Sequence, residues 1–179
     1  MALGGLIKCV SYLELTSGFD SFANGGVYNK PTFYTKVIDH DGNVLLNKAP
    51  SKVKEIDING NETVTYSTPT SKQVMKDSTA WLLTDAMQDV VKSGTGTAVR
   101  FDNLQMPLAG KTGTTTDNKD LWFVGYTPYL TAGIWGGFDA SEKQTNTTFH
   151  KAIWKAIMEK INSRYETAEF EKPKSVISV

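Results

Sequence analysis

The chain has 179 residues, 40% of them apolar and 21% charged, which are the proportions of an ordinary globular protein with one substantial core. Its 19 basic and 19 acidic residues balance, so it lacks the electrostatic footprint of a chain that binds nucleic acid or an anionic membrane. No run approaches the roughly 18 apolar residues of a spanning helix, and the lone cysteine, Cys9, excludes an internal disulfide and a cysteine metal site.

Taken in order, Ser11-Tyr12-Leu13-Glu14 has the form of a capping box and predicts a helix. Tyr12, Leu15, Phe19 and Phe22 recur at helical spacing and are expected to face the core, and Asn24-Gly25-Gly26 ends the helix. Pro31 to His40 is rich in β-branched and aromatic residues, and Asp41-Gly42 reads as a two-residue hairpin turn into Val44-Leu45-Leu46. Lys48 to Thr70 is polar and reads as a surface excursion with a second hairpin around Asn59-Gly60-Asn61. Asp77 is placed to cap a helix running to about Lys92, with Ala80, Leu83, Met87, Val90 and Val91 on one face. Ser93-Gly94-Thr95-Gly96-Thr97 stops it. Three strands follow as a meander, Leu108–Thr114, Leu121–Tyr126 and Tyr129–Trp135, the last two joined at Thr127-Pro128.

A final amphipathic helix is predicted over Thr148 to Arg164, with Phe149, Ile153, Trp154, Ile157 and Ile161 inward. The charged segment from Glu166, which contains Pro173, reads as a tail that frays. The domain therefore runs over 1–165 and the tail over 166–179. His40 and His150 lack metal-ligand spacing and read as ordinary residues, and Cys9 reads as a free core thiol. The order of elements implies an α+β fold, an antiparallel sheet flanked by helices.

The chemistry concentrates in Met106-Pro107-Leu108-Ala109-Gly110-Lys111-Thr112-Gly113-Thr114-Thr115. Lys111 offers a compact positive charge with three donors, and Thr112 and Thr114 offer hydroxyls on one face of a strand. Gly113 has no Cβ to hold a ligand away from the backbone. The set suits an anionic, peptide-like ligand lying along a strand edge. Three residues recur by accident, so Lys-Thr-Gly alone reads as an ordinary strand with a solvated lysine. A phosphate loop is excluded, because Gln105 stands where its first glycine belongs and Pro107 removes an N–H from the cradle.

The flanks are more specific. Lys111-Thr112-Gly113-Thr114-Thr115, Asp120-Leu121-Trp122-Phe123-Val124-Gly125-Tyr126-Thr127-Pro128 and Gly133-Ile134-Trp135-Gly136-Gly137-Phe138-Asp139 resemble the end of the transpeptidase domain of penicillin-binding proteins, above all the bifunctional, class A members. Ala2-Leu3-Gly4-Gly5, Val10-Ser11, Phe22-Ala23-Asn24-Gly25-Gly26-Val27-Tyr28 and Ser93-Gly94-Thr95-Gly96-Thr97-Ala98 are similar to that class in the same order. The likeness is weakest from about Asn47 to Thr70. Cys9 stands where glycine is usual there, and Tyr12 where proline is common.

That resemblance implies part of the serine β-lactamase and penicillin-binding transpeptidase fold. It implies a D,D-transpeptidase that cross-links peptidoglycan stem peptides by serine acyl transfer and binds β-lactams. Lys111 and Thr114 would be catalytic, with the Thr114 N–H an oxyanion donor, and Thr112, Gly113, Thr114 and Thr115 would bind substrate. No metal and no cofactor is implied. The family's nucleophile lies in S-x-x-K and a second serine in S-x-N. The only S-x-x-K here, Ser51-Lys52-Val53-Lys54, lies in a polar stretch after the Phe-Ala-Asn-Gly-Gly segment instead of before it, and no S-x-N occurs. Ser51 is read as a decoy. The chain is accordingly expected to be the C-terminal portion of such a domain, on the outer face of a bacterial plasma membrane in its parent protein. Its partners would be stem peptides, β-lactams, the missing N-terminal half of the domain or a second copy, and no nucleic acid. A non-catalytic wall-binding or partner-binding module of the same fold is the competing reading. A β-lactamase or D,D-carboxypeptidase is a third, which the class A flanks disfavour.

Overall fold

The computed structural model describes residues 10–49, 51–56, 62–67 and 71–177. The first helix, α1, is Tyr12–Ala23, and its capping box is complete. The Glu14 N–H donates to Ser11 Oγ at 3.2 Å, and the Ser11 N–H donates to Glu14 Oε2 at 2.7 Å. Hydrogen bonds from Ser11 to the carboxylate, from its backbone N–H first and then its side chain, favour the ionised form and hold Glu14 below the usual range. Left-handed Gly25 and Gly26, with φ of 58° and 87°, turn the chain out of the helix.

The buried positions of α1 are Ser17 and Ser21, where an aromatic face was expected. Their hydroxyls bond back to the carbonyls of Leu13 and Gly18 at 2.7 and 2.6 Å, so they are buried without an orphaned group. Small residues here let the helix lie close on the sheet. A Cβ at Gly133 would stand 2.5 Å from Thr16 Oγ1. The large side chains, Leu15, Phe19 and Phe22, are displaced to the flanks and half-buried, and Tyr12 is exposed.

Two short antiparallel pairs follow. Strand β1, Val27–Asn29, pairs with β6, Ser71–Gln73, and β2, Lys36–Ile38, pairs with β3, Val44–Asn47. The β2–β3 turn is longer than two residues. Asp39 takes the N–H groups of Asp41 and Asn43 on one carboxylate oxygen, and Gly42 adopts φ 86°. Strands β4, Ser51–Ile56, and β5, Glu62–Ser67, form the second hairpin. Ser51 thus opens a strand, not a helix. The Asn59-Gly60-Asn61 turn and Cys9 lie outside the described residues.

Helix α2, Asp77–Lys92, starts from Lys76, with no side chain capping it; the Asp77 carboxylate accepts the N–H of Ser78 instead. Its buried row is Ala80, Thr84 and Val91, while Leu82 and Leu83 are exposed. The helix is rotated from the expected face because Thr84 Oγ1 meets Tyr126 Oη at 2.8 Å. Burial pushes the Tyr126 phenol up to about 12, against the smaller opposing effect of that hydrogen bond.

The main sheet has three antiparallel strands in the order β7, Ala109–Thr114, then β8, Leu121–Tyr126, then β9, Thr131–Gly136. Central β8 is buried or half-buried at every position, as a strand covered on both faces must be. On one face Phe123 joins Val91, Val99, Leu108, Trp154 and Met158 in the core. On the other, α1 covers Val124 and Gly133, which stand opposite each other across β8 and β9.

Helix α3, Phe149–Asn162, buries His150, Trp154, Met158 and Asn162, a strict i, i+4 row. Ile153, Ile157 and Ile161 were expected inward and are exposed. Polar anchors decide the rotation. Trp154 Nε1 donates to the Ala132 carbonyl at 2.9 Å, and Asn162 Oδ1 accepts from Thr127 Oγ1 at 2.8 Å. The segment after α3 is held rather than frayed. Tyr165 stacks on Tyr129, Phe170 meets Tyr126 edge-on, and Lys172 lies over Trp81.

Candidate active-site strand

Strand β7 pairs with β8 on one side only, so along its other edge alternate N–H and C=O groups lack a strand partner among the described residues. Its sequence Ala-Gly-Lys-Thr-Gly-Thr runs from fully buried Ala109 to exposed Thr114. Gly110 is required by the sheet. A Cβ there would stand 2.7 Å from the Phe123 ring and 2.8 Å from the Val124 carbonyl. Gly113 faces Trp122, whose Cβ a side chain would approach to 3.2 Å. A side chain at that position would press on Trp122.

Residues opposite each other across an antiparallel pair share a face. Thr112 and Thr114 stand opposite Phe123 and Leu121, and Lys111 stands opposite Val124. The hydroxyls and the ammonium therefore leave opposite faces of β7. Lys111 is exposed; its Nζ donates to the Thr112 carbonyl at 2.9 Å, and no carboxylate pairs with it among the described residues. Thr112 Oγ1 lies 2.8 Å from Thr95 Oγ1, which brings the loop after α2 against the strand.

Thr115 is tied into the turn that follows. Its hydroxyl donates to Asp120 Oδ2 at 2.9 Å and accepts the Asp120 N–H at 2.8 Å. Asp120 Oδ1 also accepts from Trp135 Nε1 at 3.0 Å, which fastens this turn to β9. Asp117 and Asn118 turn the chain through φ of 61° and 56°. Thr95, Asp120 and Trp135 belong to quoted motifs, yet their contacts with β7 and its turn were not read from the sequence. Only the spatial pairing reveals them. On the Lys111 face, Trp122 stacks on Tyr12 at 5.6 Å and leans on Trp135 at 6.3 Å. Among the described residues no cluster of three His, Cys, Asp or Glu side chains could hold a metal ion.

Residues 2–160 match the family described as the penicillin binding protein transpeptidase domain. The chain belongs to that family. Penicillin-binding protein 1F of Bacillus subtilis is 34% identical over 98% of this chain and 23% of its own length. Penicillin-binding protein 1A of Clostridium acetobutylicum is 32% identical over 98% of the chain and 19% of its own length. The chain thus spans under a quarter of these curated relatives. In shape, the penicillin-binding protein 1A of Haemophilus influenzae superposes with a TM-score of 0.70 at 19% identity, over 94% of this chain and 28% of that one. Penicillin-binding protein A of M. tuberculosis, solved as an imipenem acyl-enzyme complex, gives 0.59 at 17% identity, over 88% of this chain and 33% of that one. The fold is therefore the penicillin-binding transpeptidase fold, and β7 carries this family member's Lys-Thr-Gly triplet.

Proposed function

We propose that the chain is the C-terminal, strand-bearing part of a D,D-transpeptidase that cross-links peptidoglycan stem peptides at the outer face of the bacterial plasma membrane. In this reading a serine outside these residues attacks the penultimate D-alanine carbonyl, terminal D-alanine leaves, and a stem-peptide amine then takes the acyl group. β-Lactams acylate the same serine. The observation that carries the proposal is the open edge of β7, on a strand that bears a lysine with no carboxylate partner among the described residues and two threonine hydroxyls.

An extended peptide added to that edge would hydrogen-bond as a fourth strand. Its C-terminal carboxylate would meet the hydroxyls of Thr112 and Thr114, with Gly113 leaving the backbone open to it. The Lys111 ammonium, now on a neutral carbonyl, would gain a stronger charged acceptor. The N–H of Thr114 would donate to the oxyanion. Thr115 borders the site from the turn and keeps the end of the strand in place.

The test uses the longer penicillin-binding protein that carries this chain. Lys111→Ala is expected to slow acylation by labelled penicillin about a hundredfold or more, the usual loss for one preorganised electrostatic contact. Lys119→Ala, in the turn, is expected to leave the rate close to that of the unsubstituted protein. Equal rates for the two variants would remove Lys111 from the mechanism.

A further inference from the structure

We propose that Thr95 is a positioning residue that sets the direction of the Thr112 hydroxyl, a proposal that rests on the functional reading above. The two Oγ1 atoms are 2.8 Å apart, although the residues are 17 positions apart in the chain. Each hydroxyl has one proton and two lone pairs, so either can donate. Among the described residues neither hydroxyl has another side-chain or backbone partner. An ionised carboxylate only accepts. If Thr112 spent its proton on Thr95, a carboxylate at the β7 edge would face its lone pairs. With Thr95 as donor, the Thr112 proton is left for the ligand, and each bond polarises the next.

The loop is built to hold Thr95 still. The N–H groups of Ser93 and Gly94 bond to the Asp89 carbonyl at 3.0 and 3.1 Å, and the Gly96 N–H bonds to the Val90 carbonyl at 2.9 Å. Glycine flanks Thr95 on both sides because the loop lies flat on α2. A Cβ at Gly94 would stand 2.9 Å from Val90 Cα, and one at Gly96 would stand 3.0 Å from the Val90 carbonyl oxygen. Val99, fully buried in the core, fixes the far end of the loop. Thr95 is thus an exposed side chain on an immobilised turn, with its hydroxyl on Thr112. A residue needed only to stop the helix has no use for that hydroxyl.

The experiment measures the second-order acylation rate with labelled benzylpenicillin in the longer protein carrying the chain. Thr95→Val keeps the shape and removes the hydroxyl, and is expected to slow acylation about fivefold, the size of one lost hydrogen bond between uncharged groups. Thr95→Ser restores the donor and is expected to recover most of the rate. In a Thr112→Val background, Thr95→Val is expected to cost nothing more, because the hydroxyl it orients is already gone. Additive losses, or failure of serine to rescue, would mean that Thr95 only shapes the loop, and this overturns the proposal. So would a Thr95→Val or Thr112→Val variant that acylates at the full rate. If the unsubstituted protein is not acylated at all, the functional reading fails and takes this inference with it.

Discussion

His150 occupies the first turn of α3, only 2% exposed, and its Nδ1 meets no hydrogen-bond partner among the described residues. Burial, and secondarily the Lys151 charge, hold its pKa below the ordinary 6.5. The folded state therefore prefers neutral imidazole, and the unfolded chain binds the proton first as pH falls. Stability from this residue is complete above about pH 6.5 and declines below it, down through the folded-state pKa. Glu14 and Asp39 also have lowered pKa values, but their losses begin only near their ordinary 4.5 and 3.8. The expected result is a melting temperature that drops between pH 7 and pH 5, with the drop largely removed in His150→Gln. An unchanged slope in that variant would assign the pH dependence to other groups. The sequence presents His150 as an unremarkable histidine. Nothing in its local pattern announces burial, because burial here follows from the rotation of α3.

At the scale of elements, what could be read in advance was the kind and place of each segment. The meander over β7, β8 and β9 follows from β-branched and aromatic runs punctuated by turn residues, and Ser11 with Glu14 marks the start of α1. Helix rotation was not legible. In α3 the row Ile153, Ile157, Ile161 is more apolar than the row His150, Trp154, Met158, Asn162, yet the second row is the buried one. The indole N–H finds its acceptor on β9 and the Asn162 Oδ1 finds its donor in the β8–β9 turn, while the Asn162 amide N–H stays within the helix on the Met158 carbonyl. Thr127 Oγ1 also accepts the N–H groups of Tyr129 and Leu130, both at 3.2 Å, so Asn162 holds the turn as well as the helix. Asn162→Leu strands the fully buried Thr127 donor and is expected to destabilise the chain by about 1–3 kcal/mol. Ile157→Ser, at a position 52% exposed, is expected to cost about 0.5 kcal/mol or less. Chemical denaturation of both variants at one protein concentration checks the ranking, and a larger loss at Ile157 would reverse the assigned orientation of α3. The same limit applied at the site. The Lys-Thr-Gly triplet was visible as a motif, whereas the Thr95–Thr112 contact joins two motifs that the sequence holds apart.

Across the whole molecule, the two faces of the sheet are unequally covered. The Phe123 face is closed by α3 and the end of α2, with Val99, Trp154 and Met158 at 2% exposure or less. Among the described residues the Trp122 face has α1 alone at its outer end. There Val10, Tyr12 and Trp135 remain 53%, 44% and 40% exposed around a shallow recess of about 460 Å³. A contiguous apolar surface of this kind is a favoured site of association, since burying it removes aromatic area from water without stranding a charge. The chain by itself is therefore expected to self-associate through this recess, giving a light-scattering mass above 19.7 kDa that rises with concentration. Tyr12→Lys puts a charge into the recess and is expected to return the mass to that of one chain. Ile157→Lys, on the opposite side of the sheet, is expected to leave association intact. A concentration-independent single-chain mass for the unsubstituted chain would show that the aromatic ladder Tyr12, Trp122 and Trp135 satisfies its own apolar surface. Monomer recovery by Ile157→Lys alone would move the contact to the isoleucine row of α3.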